Sequence, residues 1–145
     1  MRWEEWGNEP GRQDLQWWID VTAREAGRDA LPVTWVAVDD RGNALGAVGI
    51  AEFDLEERRD WSPWLIGMIV SRPLRGRGIG GRLVQELKRW AGARAFTDVW
   101  VATGGRAIDF YVRHGWHLFE VLEQSSGEST VLKLALRRDA RPRPN

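Results

Sequence analysis

The sequence predicts a mixed α/β domain: a central, mostly antiparallel sheet flanked by helices. Three observations carry the prediction. Two apolar runs separated by Asp39-Asp40-Arg41-Gly42-Asn43 read as a β-hairpin. The stretch from Trp64 to Arg94 reads as an apolar strand, a glycine-rich turn and an amphipathic helix. After one more strand and a short helix, two further apolar runs joined by Gln124-Ser125-Ser126-Gly127-Glu128 form a second hairpin. Two hairpins thus flank a β-α-β-α core.

The elements follow in order. Residues 1–11 are Trp-rich and end in turn residues, and Arg12 to Ala26 reads as a helix with Leu15, Trp18, Ile19 and Thr22 on one face and Gly27 as its stop. Trp17 falls off that stripe, as a rim residue or as one facing a partner or substrate. Val33 to Val38 is a strand, and Ala44 to Phe53 is its return strand; alternation puts Val48, Ile50, Glu52 and Asp54 on one face. Asp54 to Asp60 is a charged loop, which reads equally well as a solvated turn. Leu65, Ile66, Met68, Ile69 and Val70 form the central strand, which Pro73 stops because proline cannot donate to a ladder. Leu83, Leu87, Trp90, Ala91 and Arg94, thickened by Val84, mark one face of a helix beginning near Gly80. Asp98 to Ala102 is a strand, Thr103-Gly104-Gly105 a turn, and Arg106 to Arg113 a helix that stops at Gly115. Trp116 to Leu122 and Thr130 to Leu136 are the last strands. One domain over residues 1–136 and a basic, proline-containing tail over 137–145 are expected.

Composition narrows the function. A chain of 145 residues can bury roughly 68–70% of its unfolded surface as one domain. Lys plus Arg and Asp plus Glu both number 21, so the basic excess of a general nucleic-acid binder is missing. There is no cysteine, which excludes disulfides, cysteine-zinc sites and cysteine nucleophiles. Two histidines leave little for a metal cluster, and no metal site is expected. No apolar run approaches the roughly 18 residues of a membrane span, and no signal peptide stands out. A soluble cytoplasmic protein is the expectation. The ten tryptophans permit an aromatic wall around a cation, but in a small domain they mostly build core.

The glycine-rich turn carries the chemistry. Gly76, Gly78, Gly80 and Gly81 strip side chains from the start of the helix, so several backbone N–H groups can point at one guest. The helix N-terminus adds partial positive charge, and Arg75 and Arg77 add full charge. This is a site for a phosphate or pyrophosphate. A P-loop is rejected, because no Lys-Ser or Lys-Thr follows the glycines. A dinucleotide fingerprint is met literally by Gly76, Gly78 and Gly81, but Ser71 to Arg75 separate strand from turn, and Asp98 begins the next strand instead of ending it. A third pattern, R/Q-x-x-G-x-G/A, stands as Arg75-Gly76-Arg77-Gly78-Ile79-Gly80.

Preceded by an apolar strand and V-x-x-P, that pattern resembles the acyl-CoA signature of the GNAT N-acetyltransferase superfamily. A second motif of that superfamily, A-x-x-[FL]-Y-x-x-x-G-[FW], stands in the right order as Ala107 to Trp116. The resemblance covers about residues 33–136. It implies a GNAT-like fold, and the start of the chain leaves little room for the family's first strand. It implies acetyl-CoA as cosubstrate, held by Met68, Ile69 and Val70 of the central strand and by Arg75, Gly76, Arg77, Gly78, Ile79, Gly80 and Gly81. The backbone N–H groups near Met68 and Val70 would hold the pantetheine and the thioester carbonyl, stabilising charge without reorganisation. Tyr111, the only tyrosine, falls at the family's acid position, where a phenol can protonate the leaving thiolate. Gly104 stands where the family often has Asn, three residues before Ala107, so a side-chain contact to the pantetheine arm is absent or supplied otherwise.

Acyl transfer also needs an amine that has lost its proton. Glu52 and Asp54 are the candidate bases, acting through water or attracting a cationic amine, with His117 as an alternative. The sequence points to an N-acetyltransferase acting on a primary amine of a small molecule or a protein, with no nucleic-acid or membrane partner and a homodimer left open. The alternative is a CoA-binding regulatory or interaction module without turnover, which the fold does not exclude.

Overall fold

The computed structural model describes residues 30–55, 58–125 and 127–136. The expected helix over Arg12 to Ala26, the question of a first strand and the tail over 137–145 lie outside them. Six strands form one sheet in the order β1-β2-β3-β4-β6-β5: β1 Val33–Val38, β2 Ala44–Ala51, β3 Trp64–Val70, β4 Asp98–Thr103, β5 His117–Gln124 and β6 Gly127–Ala135. The pairs β1–β2, β4–β6 and β5–β6 are antiparallel, and β3 runs parallel to β4 with Trp64 opposite Trp100. Helix α1 spans Ile79–Ala93 and α2 spans Ala107–Arg113. This is the mixed, mostly antiparallel α/β fold expected. The described residues pack as two compact units, 30–52 with Leu65–Leu87 in the first and those of 53–64 with those of 88–136 in the second.

In the first unit the β1–β2 hairpin turns on Asp39. Its carboxylate accepts the N–H groups of Arg41 and Asn43, both at 2.9 Å, and the Asn43 side-chain amide at 3.0 Å. These donors, Asn43 first, hold the Asp39 carboxyl below the usual range. The last pair of the ladder is Val33 with Ile50. Pro32 precedes Val33 and has no N–H to offer, so β2 stops at Ala51 and not at Phe53. Glu52 and Asp54 therefore stand in bends beyond the strand, and the shared strand face expected of them is not formed.

The start of α1 is costly by propensity, since Gly80 and Gly81 each lose about 1 kcal/mol relative to alanine. Buried Leu83, Val84 and Leu87 each return about 1.5–3 kcal/mol, so packing decides the helix. That packing requires β2 to come close. A Cβ on Gly46 would stand 2.9 Å from the Ile69 carbonyl oxygen and 3.2 Å from Leu83 Cδ1, and one on Gly49 would stand 3.0 Å from Ile66 Cγ1.

In the second unit Trp64, Val99, Val101, Tyr111, Trp116, Val131, Leu132 and Leu134 form the core. Strand β5 begins at His117 because the Trp116 N–H still bonds the Tyr111 carbonyl at the helix end, at 3.0 Å. The β5–β6 ladder runs on to Gln124 opposite Gly127, through residues whose polarity reads as loop. The register shifts between Leu118 and Glu120, leaving Phe119 without a partner in the ladder. Phe119 meets Trp61 and Trp100 edge-on, and those two rings stack at 4.3 Å between centroids. Arg58 lies over Trp61 and pairs with Glu120. This stack fastens the 58–64 segment to β4 and β5.

Two glycine substitutions should move stability in opposite directions. Gly46→Ala is expected to destabilise by about 1–3 kcal/mol, because the clash is with backbone. At Gly92, within α1, an added Cβ meets nothing within 4 Å, so Gly92→Ala is expected to stabilise by a few tenths to about 1 kcal/mol. Urea denaturation of the two variants measures both signs.

Candidate active site

Strand β3, a short turn and helix α1 build the cradle. Gly67, at φ 58°, breaks the regular pleat of β3 just before Met68-Ile69-Val70. The Ser71 N–H then bonds the Leu45 carbonyl at 2.8 Å, and a 3-10 turn over Arg72–Leu74 carries the chain away. Gly76 and Gly78 adopt φ of 82° and 83°, a region that costs a side-chain-bearing residue roughly 1–2 kcal/mol. A Cβ at either would meet nothing within 4 Å, so backbone conformation and not crowding requires glycine there. Helix α1 opens with the Arg82 N–H on the Gly78 carbonyl, at 3.1 Å. Among the described residues, the N–H groups of Gly76 through Gly81 take no backbone acceptor. Six consecutive donors without backbone partners, at the positive end of a 15-residue helix, suit an anion such as a pyrophosphate.

The two arginines of the turn differ. Arg77 is exposed, and its guanidinium has no partner among the described residues. The Arg75 side chain folds back, and its Nε donates to the Val70 carbonyl at 3.0 Å. Spacing alone assigned both arginines to the anion and did not reveal this bond.

The candidate proton carriers lie elsewhere. Tyr111 is 3% exposed within α2, between Phe110 and Trp116. Burial, and secondly the charge of Asp54, raises its hydroxyl above the ordinary phenol range. The structure thus brings Asp54 and Tyr111 within electrostatic reach in the second unit. Glu52 is exposed at the end of β2 in the first unit, and His117 is exposed on β5. The other histidine, His114, holds its Nδ1 2.7 Å from the Phe110 carbonyl at the end of α2. Among the described residues, no group of three or more His, Asp or Glu is placed to hold a metal, and no helix is long and apolar enough to cross a membrane.

The profile of the acetyltransferase (GNAT) family matches residues 1–116. The chain belongs to that family. The match takes in β3, the glycine turn and α2, and stops at Trp116. No curated protein matches the chain in sequence. Solved structures do. An aminoglycoside 6′-N-acetyltransferase complexed with coenzyme A superposes with a TM-score of 0.71 at 17% identity, over 99% of this chain and 88% of that one. A GCN5-related N-acetyltransferase from Kribbella flavida gives 0.67 at 22% identity, over 88% and 80%. A nourseothricin acetyltransferase gives 0.61 at 21% identity over 73% of this chain, which spans 66% of its length. At these identities the likeness is one of fold.

For a GNAT chain the outstanding feature is the state of Tyr111. Since its folded pKa is raised, the protonated phenol stabilises the fold fully below the unfolded value of about 10.0, and that contribution is lost as pH rises further. Tyr111 is the only tyrosine, so ultraviolet titration reads it alone. Phenolate absorbance is expected to stay absent at pH 10 in the folded protein and to appear on unfolding. Asp54→Asn should lower the transition only in part, because burial is the larger cause.

Proposed function

We propose that this protein transfers the acetyl group of acetyl-CoA to a primary amine of a small molecule or protein, within the cytoplasm. The observation that carries the proposal is the cradle: six backbone N–H groups without backbone acceptors, opened by two positive-φ glycines and flanked by the exposed Arg77. Such a donor set fits the pyrophosphate of CoA. When bound, acetyl-CoA supplies an acetyl group activated as a thioester.

The chain's own residues then have separate tasks. Gly76 to Gly81 and Arg77 hold the phosphates, which fixes the far end of the arm. The N–H groups near Met68 and Val70, which share one edge of the strand, would orient the arm and donate to the thioester oxygen as it gains charge. Tyr111 donates its proton to the departing sulfur. Its raised pKa keeps that proton in place throughout the neutral range. It also makes the phenol a weaker acid, so delivery must accompany the loss of the amine's proton. Asp54, whose charge reaches Tyr111, and Glu52 attract the ammonium form of the acceptor and take up the proton it sheds. The names of two similar folds, for aminoglycosides and nourseothricin, make amino-bearing antibiotics the first acceptors to try.

An assay of CoA release over a panel of aminoglycosides, nourseothricin, polyamines and peptides tests the proposal. Acetyl-CoA-dependent acetylation of at least one amine is expected. Tyr111→Phe keeps the ring in its core position, so the expected loss is in kcat, roughly 10²–10⁴-fold, with CoA affinity little changed. Tight CoA binding with no acceptor turned over would leave a binding module in place of an enzyme.

A further inference from the structure

We propose that Arg75 is a positioning residue that locks the phosphate turn to the end of β3, and not a charge that contacts the anion; the inference rests on the acyl-CoA reading of this site. Strand β3 ends where its backbone needs new partners. The Ser71 N–H is taken by the Leu45 carbonyl at 2.8 Å, and Pro73 has no N–H to give the strand end. The Val70 carbonyl is met by Nε of Arg75, five residues on, at 3.0 Å.

That bond closes a short ring. The Leu74 N–H bonds the Ser71 carbonyl at 2.9 Å, and the Arg75 N–H bonds the Arg72 carbonyl at 3.3 Å. Arg75 immediately precedes Gly76, the first positive-φ residue of the turn. Its main chain therefore sets where the row of free N–H groups begins, and its side chain ties that origin to Val70. A ligand gripped by β3 at one end and by the turn at the other requires the two donor sets at a fixed separation.

Glutamine carries an N–H donor at the same position along the side chain as arginine, since Arg Nε and Gln Nε2 are each bonded to Cδ, but it carries no charge. Lysine keeps the charge but has carbon there. The Arg77 guanidinium, by contrast, has no partner among the described residues.

The test compares Arg75→Gln, Arg75→Lys and Arg75→Ala in the full chain, with Arg77→Ala as reference. Two readouts are used: CoA affinity by calorimetry at low and high salt, and amide hydrogen exchange at Leu74 and Arg82 without ligand. Arg75→Gln is expected to match the parent in both. Arg75→Lys and Arg75→Ala are expected to bind CoA roughly three- to tenfold more weakly at either salt, the range of one partly exposed hydrogen bond, and to exchange faster at both amides. Arg77→Ala should lose affinity mainly at low salt. If Arg75→Lys keeps parental affinity while Arg75→Gln falls to the level of Arg75→Ala, Arg75 is an anion contact and the inference fails. If the parent binds no CoA, the functional reading fails instead, and hydrogen exchange alone then decides the clamp: unchanged exchange in Arg75→Ala would overturn it.

Discussion

The site depends on one requirement: a strand that stops must leave no backbone polar group stranded. Strand β3 stops at Val70, and each open group at its end is answered from a different direction. The Ser71 N–H goes back to β2, and the Val70 carbonyl goes forward to Arg75. With both answered, the chain can turn through two left-handed glycines and enter α1 with its first N–H groups unspent. The N–H groups without backbone acceptors are thus what remains once the strand end has been satisfied.

Packing holds this arrangement in place. Helix α1 carries two glycines in its first turn and would be weak alone. Its buried Leu83, Val84 and Leu87 seat it, and β2 presents Gly46 toward Leu83 and Ile79 because a side chain there would push the helix away. The glycine of the turn and the glycine of the strand serve different ends. Gly78 supplies a backbone angle, whereas Gly46 supplies room.

The second unit shows how burial sets chemistry. Tyr111 is buried, with Phe110 and Trp116 edge-on to its ring. Removing a phenol from water penalises the phenolate, and Asp54 adds repulsion. The phenol is thereby held in its protonated form. Trp116 adds a buried Nε1 with no hydrogen-bond partner among the described residues, so this part of the core bears an unmet polar cost.

What the sequence determined by itself was local. The β1 bounds, the central strand, the glycine turn and the face of α1 follow from periodicity, proline and glycine within a few residues of each position. The candidate phosphate site was legible for the same reason, since its donors are consecutive. Tertiary structure decided what depends on register and enclosure. The end of β2 at Ala51 follows from where β1 begins, and it removed Glu52 and Asp54 from a common strand face. The extension of β5 to Gln124 follows from β6 lying alongside. The reach of Asp54 to Tyr111, the room needed at Gly46 and the choice of Val70 as Arg75's partner join atoms whose meeting no short spacing encodes. Local patterns fix which backbone conformation is cheap; only packing fixes which distant groups must share a buried space or answer one another's hydrogen bonds.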